Sequence, residues 1–160
     1  MAILRIITSE QYTLDGMLKY IIDSEKHIHG IVYYNAIGVD PFFCSRDMLL
    51  CKLLYQQLKG VQYKQIILAF TEVETLTIDA DYFIKPVIEV AQLIHELTNC
   101  QIAYAIHNNT DNIHVHFVVN TVRISDGKKV QINNEVTRIL KEKINYIFKK
   151  YDLDMIKSIN

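Results

Sequence analysis

Three of the six histidines fall within ten residues, at His107, His114 and His116. Side chains alternate faces along a strand, so His114 and His116 share one face with Val118 and Asn120. Ile113, Val115, Phe117 and Val119 form the opposite row, which is uniformly apolar and so belongs against a core. The imidazoles then project from the face where a site can open to substrate. His107 closes the preceding apolar run, and the turn between the two runs contains Asp111. A hairpin there sets His107 alongside the other two. Three neutral imidazoles make a facial set for a divalent metal, with positions left over for substrate oxygens. A metal-bound histidine needs its other ring nitrogen held by an acceptor. Asp111 is the nearest carboxylate for that task, and Asn120 could orient a neighbour. A His-x-His pair alone is cheap: His27-Ile28-His29 is a second copy that most simply lines a polar surface, with phosphate contact as the lesser option. The third histidine at hairpin distance, with an aspartate between, separates the later cluster from it.

The elements that must hold these groups follow from periodicity. Residues 2–8 read as a strand, and Thr13 can cap a helix whose stripe is Leu14, Met17, Leu18, Ile21 and Ile22. Residues 28–37 suit a second strand. Ser45 is the expected cap of a helix over 46–59, closed by Gly60. Residues 64–71 are apolar through the middle, as in an interior strand. Asp79 or Asp81 opens a helix to about Leu97, in which Pro86 either kinks the helix or marks its first turn. Strands over 101–107 and 113–123 flank the Asn108–Asn112 turn, and Ser125-Asp126-Gly127-Lys128 is another tight turn. A last helix starts near Asn133 or Asn134. This order predicts one α+β domain over 1–160: a mostly antiparallel sheet, helices on one face, the histidines on the other.

The stretch from His107 to Asn120, read as His-x-x-x-Asp-x-x-His-x-His-x-x-x-Asn, resembles the third motif of conjugative relaxases. The closest similarity is to their MobA/VirD-like (MOBP) class, within the HUH endonucleases. Upstream, Met17-Leu-Lys-Tyr-Ile-Ile-Asp-Ser-Glu-Lys26 is similar to the family's first motif: a tyrosine on an early helix, then an Ile and, six residues on, a Lys. With the Gly127 turn and the final helix, the resemblance spans nearly the whole chain. It implies that Tyr20 is the nucleophile. Helix geometry agrees, since Tyr20 lies about 120° from the centre of the apolar stripe, with Lys19 and Asp23 as neighbours. One departure concerns the second motif, where the family carries a serine before the long helix. Here Ala69 stands in that place, with Thr71 on the same strand face as the substitute hydroxyl. Another is Asn112, where a histidine often precedes the second histidine of the third motif.

The resemblance implies cleavage of single-stranded or hairpin DNA at an origin of transfer, leaving a 5′-phosphotyrosine and a free 3′-OH. It implies a divalent metal on His107, His114 and His116, Mn or Mg in cells, with Zn, Ni or Co accepted in vitro. Asp111 is the candidate for orienting a ligand or accepting the tyrosine proton. Lys26, Thr71, Asn120, Arg123, Lys128 and Lys129 are the candidate DNA contacts. Accessory relaxosome proteins and a type IV coupling protein are the implied partners, and mobilisation of a plasmid or integrative conjugative element is the implied role. Three rivals remain. A rolling-circle replication initiator usually carries its tyrosine after the histidine strand. A non-catalytic DNA-binding relative would fit Ala69, and a metal hydrolase using water would not need Tyr20.

Composition sets limits on this reading. The 160 residues suit one core. A net charge of −1 argues against an indiscriminate polyanion binder. The charge is uneven, however: residues 1–122 hold 8 Lys and Arg against 13 Asp and Glu, and residues 123–160 hold 9 against 5. The basic share, Arg123, Lys128, Lys129, Arg138, Lys141 and Lys143, follows the histidine strand, so a DNA path along that end is expected. Cys44, Cys51 and Cys100 lack metal-ligand spacing and read as buried thiols. No apolar run approaches the roughly 18 residues of a membrane span, and the start lacks a signal peptide's pattern. The expectation is a soluble, cytoplasmic protein.

Overall fold

Five runs rich in β-branched and aromatic residues form strands, as their period-2 patterning predicts. The computed structural model describes residues 1–8, 11–22 and 30–157. Its strands are β1 (Ile3–Ile7), β2 (Ile31–Ile37), β3 (Tyr63–Ala69), β4 (Cys100–His107) and β5 (His114–Arg123). They join in the order β1-β3-β5-β4-β2, and every neighbouring pair is antiparallel. The histidine-bearing strands are therefore both interior, paired on each side and held in fixed register. The helices are α1 (Leu14–Ile22), α2 (Cys44–Leu54), α3 (Glu72–Thr77), α4 (Ile84–Thr98) and α5 (Asn134–Lys150). Together they make the expected α+β domain.

One sheet face meets α4 and α5. Ile66, Leu68, Tyr104, Val115, Phe117 and Val119 pack there against Val87, Val90, Ile94, Leu140, Ile144 and Phe148. The other face, which carries the histidines, is not bare. Leu14, Met17, Leu18 and Ile21 of α1, with Cys44 and Met48 of α2, cover Tyr63, Ala103, Ala105 and Val118. The expectation had helices on one face only. The cause of the difference is the α1 stripe itself: each such side chain gains roughly 1.5–3 kcal/mol on burial, and the small Ala103 and Ala105 let the helix lie close.

Several boundaries also differ. Ser45 does not cap α2; the N-cap is Phe43, without a side-chain bond, while Ser45 Oγ donates to Asp15 Oδ1 at 2.8 Å and ties α2 to α1. The helix stops at Leu54, with Gln56 in the left-handed region (φ 55°), well short of Gly60. β3 ends at Ala69, and Thr71 caps the six-residue α3, which periodicity did not reveal. A single 3-10 turn, Ala80–Phe83, is capped by Asp79, and Pro86 sits in the first turn of α4, where its missing N–H costs nothing. Asn133 caps α5, its Oδ1 accepting from the Val136 N–H.

Candidate active site

The β4–β5 register pairs His107 with His114 and Ala105 with His116, so both strands deliver imidazoles to one face. Ring centroids lie 5.4 Å apart for His107–His114, 4.9 Å for His107–His116 and 5.0 Å for His114–His116. One donor atom from each ring lies within 4.8 Å of the others. His107 is fully buried, His116 is 6% exposed, and His114 is half-buried at the open side.

Each ring also has a nitrogen engaged elsewhere. His107 Nε2 donates to the Ile21 carbonyl at 2.8 Å, which leaves the lone pair on Nδ1. His114 Nδ1 donates to the Asn112 carbonyl at 3.0 Å, with Thr110 Oγ1 at 3.3 Å, which leaves its lone pair on Nε2. His116 Nδ1 lies 2.8 Å from the Gln65 side-chain amide. For His107 and His114 this is the support that metal-bound imidazoles require. Gln65 supplies it to His116 once its amide presents oxygen in place of the NH₂ now facing Nδ1, so the donor set fits a divalent ion. The supporting groups are not those expected. Asp111 is exposed in the turn, and two backbone carbonyls and Gln65 hold the rings. Gln65 went unnoticed in the sequence; its one signal is an amide directly before the apolar run Ile66–Ala69 of β3.

Tyr20 projects from α1 toward the same place. Its ring meets that of His116 edge-on, with centroids 5.9 Å apart, and stacks on Tyr12 at 5.7 Å. A cleft of about 250 Å³ joins these groups and is lined by Tyr12, Tyr20, Tyr63, Gln65, Ile67 and His116, among others. The structure thus brings Tyr20 and the three histidines together.

Other candidates fall elsewhere. Ala69 lies opposite His114 in the β3–β5 register, at the edge of the site. Thr71 is off the strand: its hydroxyl donates to Glu74 Oε2 and accepts from the Glu74 N–H, closing a capping box. Asn120 is 0% exposed beneath α2, its amide donating to Gln101 Oε1, so it faces the interior and not a ligand. Arg123 ends β5, roughly 30 Å from His114 at strand spacing, and pairs with Asp126. Lys129 Nζ donates to the carbonyls of Lys59 and Val61. Lys128 is exposed at that same far end. Arg138, Lys141 and Lys143 ride on α5, behind the sheet. The basic end expected beside the histidines is therefore remote from them. Lys26, His27 and His29 lie outside the described residues.

Comparison with known proteins agrees with this geometry. The family described as "Relaxase: MobA/VirD2-like, nuclease domain" matches residues 20–153. A solved structure concerned with the molecular basis of vancomycin resistance transfer in Staphylococcus aureus aligns with a TM-score of 0.56 at 14% identity, over 81% of this chain and 76% of its own. The conjugative relaxase TrwC, in a copper-bound complex with oriT DNA, aligns with a TM-score of 0.55 at 13% identity, over 94% of this chain and 69% of its own. At such identities the likeness is one of fold. No curated protein sequence matches. Among the described residues, no helix is long and apolar enough to cross a membrane.

Proposed function

Since this chain belongs to the MobA/VirD2-like relaxase family through its nuclease domain, we propose that it nicks one DNA strand at an origin of transfer in the cytoplasm, mobilising a plasmid or integrative conjugative element. The observation that carries this reading is the placement of Tyr20 edge-on to His116, one of the three clustered histidines, in a cleft that both residues line. A divalent ion on His107, His114 and His116 would supply positive charge to the scissile phosphate and to its transition state.

The remaining work falls to the chain itself. The Tyr20 hydroxyl attacks phosphorus, the bond to the 3′ oxygen breaks, and that oxygen leaves as a 3′-OH after taking up a proton. The strand's 5′ phosphate is then esterified to Tyr20. A free phenol has a pKa of about 10, so only about one in a thousand is ionised at neutral pH, and a base must accept the proton during attack. Asp111, exposed on the turn between the histidine strands, is the proposed acceptor. The α1 stripe buries Met17 and Ile21 on either side of Tyr20 and limits the ring's freedom. Lys26, Arg123 and Lys128 are proposed as contacts to nucleotides away from the scissile bond.

The test is adduct formation. Wild-type protein, incubated with divalent metal and a labelled single-stranded origin oligonucleotide, yields a covalent complex that survives denaturing electrophoresis. Tyr20→Phe yields none and still binds the oligonucleotide. An adduct formed by Tyr20→Phe would show that another nucleophile operates; a wild-type protein that cleaves without an adduct would point to water as the nucleophile.

A further inference from the structure

The antiparallel registers place five residues in one row across the histidine face: Arg5 of β1, Ile67 of β3, His116 of β5, Ala105 of β4 and Tyr34 of β2. Arg5 thus stands two strands from His116, about 10 Å at ordinary strand spacing. It is exposed. Among the described residues, other cations near this face are committed: Lys19 to Asp15 at 2.6 Å, Arg46 to Asp47 at 2.8 Å, and Lys52 to the Gln62 carbonyl at 2.7 Å. Arg5 makes no ion pair among the described residues. Arg5 itself borders a second cavity at the sheet edge with Asn134 and Lys141, while the tyrosine cleft runs from His116 to Ile67, the β3 neighbour of Arg5, and to Ile7 of β1. At its mouth Tyr12 stacks on Tyr20 with an interplanar angle of 24° and keeps 39% of its surface open.

These are the two parts of a single-strand binding track: a cation for the backbone and an aromatic surface for a base. We propose that single-stranded DNA leaves the metal centre across the sheet, over β3 to β1, with a base stacked on Tyr12 and a phosphate near the scissile one held by Arg5. Near the nick the path therefore crosses the strands, and Arg123 and Lys128, at the far end of β5, meet only nucleotides distant from it. The proposal rests on the relaxase reading above and adds the direction and contacts of the substrate.

The test is binding of a labelled origin single strand, followed by anisotropy over a range of salt, beside the adduct assay. Arg5→Ala weakens binding about tenfold and lowers the salt slope by about 0.7, the share of one phosphate on a single strand. Tyr12→Ala weakens binding by a similar factor with the slope unchanged, because stacking releases no counterions. Tyr12→Phe and Arg5→Lys recover most of each loss, which separates contact from misfolding. One neutral methylphosphonate linkage near the nick reproduces the Arg5→Ala loss, and combining the two costs nothing further. Wild-type adduct formation with unaltered binding by Arg5→Ala and Tyr12→Ala would overturn the path alone. So would loss of binding confined to Arg123→Ala and Lys128→Ala. Absence of any wild-type adduct would instead remove the relaxase reading beneath it.

Discussion

At His116 the arrangement of one proton decides whether the ring can serve as a ligand. Gln65 lies 2.8 Å from Nδ1 and is itself 9% exposed. With its NH₂ toward the ring, Gln65 makes Nδ1 an acceptor and leaves the proton on Nε2. A half-turn of the amide presents its oxygen instead, so Nδ1–H donates and Nε2 carries the lone pair. Gln65 can thus follow the ring between metal-free and metal-bound tautomers. Glu at this position can do only the second, and Leu can do neither. Gln65→Leu should weaken divalent metal binding, measured by titration calorimetry, by about 10–100-fold, while Gln65→Glu keeps the affinity or raises it. Equal affinity in Gln65→Leu would mean that the amide merely fills space. Asp111 cannot replace it, being exposed in the turn.

Among the elements, α3 shows most clearly what a sequence hides. Six residues are too few for an amphipathic period, yet Thr71-x-x-Glu74 is a capping box, and its reciprocal bonds are present. Glu74 is buried and also accepts from the Asp154 N–H through Oε1, which anchors the segment after α5. Thr71→Ala should therefore cost about 1 kcal/mol, read as a lower urea midpoint, with Thr71→Ser close to wild type. An unchanged midpoint in Thr71→Ala would deny the cap any share in stability. The strands were readable because alternation and the apolar β3 leave little choice of period. The histidine cluster was readable for the same reason, with the hairpin supplying the third ring. The groups that hold the rings were not readable: two are backbone carbonyls, which no residue type announces, and Gln65 lies 51 residues from its histidine. The end of α2 was misplaced because tertiary contacts set it. Tyr55 bonds the Ile124 carbonyl and Gln57 the Gly127 carbonyl, which turns the chain well before Gly60.

Across the whole molecule, charge is arranged differently from its order in the chain. The basic C-terminal share lies at the far end of β5 and behind the sheet, and one cation of the N-terminal share, Lys52, is buried at 1% exposure on the inner face of α2. Its ammonium donates to the Gln62 carbonyl at 2.7 Å and to Thr121 Oγ1 at 3.3 Å. Burial, reinforced by repulsion from Lys129, pulls its pKa from 10.5 down to about 8. That displacement is on the order of 3 kcal/mol of differential interaction against the charged form. Between about pH 8 and 10.5 the folded state then binds fewer protons at this site than the unfolded chain, so the Lys52 contribution to stability rises with pH through that window. Buried acids oppose it. The Cys100 thiol is pushed up to about 12, and the Tyr34 and Tyr104 phenols are raised by burial, so the folded state keeps protons that the unfolded chain sheds. Total stability against pH therefore mixes two signs. The difference between wild type and Lys52→Met isolates one, because the opposing groups are common to both. Thermal unfolding should show wild type gaining on Lys52→Met as pH rises from about 8 to 10, whatever both curves do together. Parallel curves would mean that Lys52 keeps an ordinary ammonium pKa and that its two acceptors fully offset its burial.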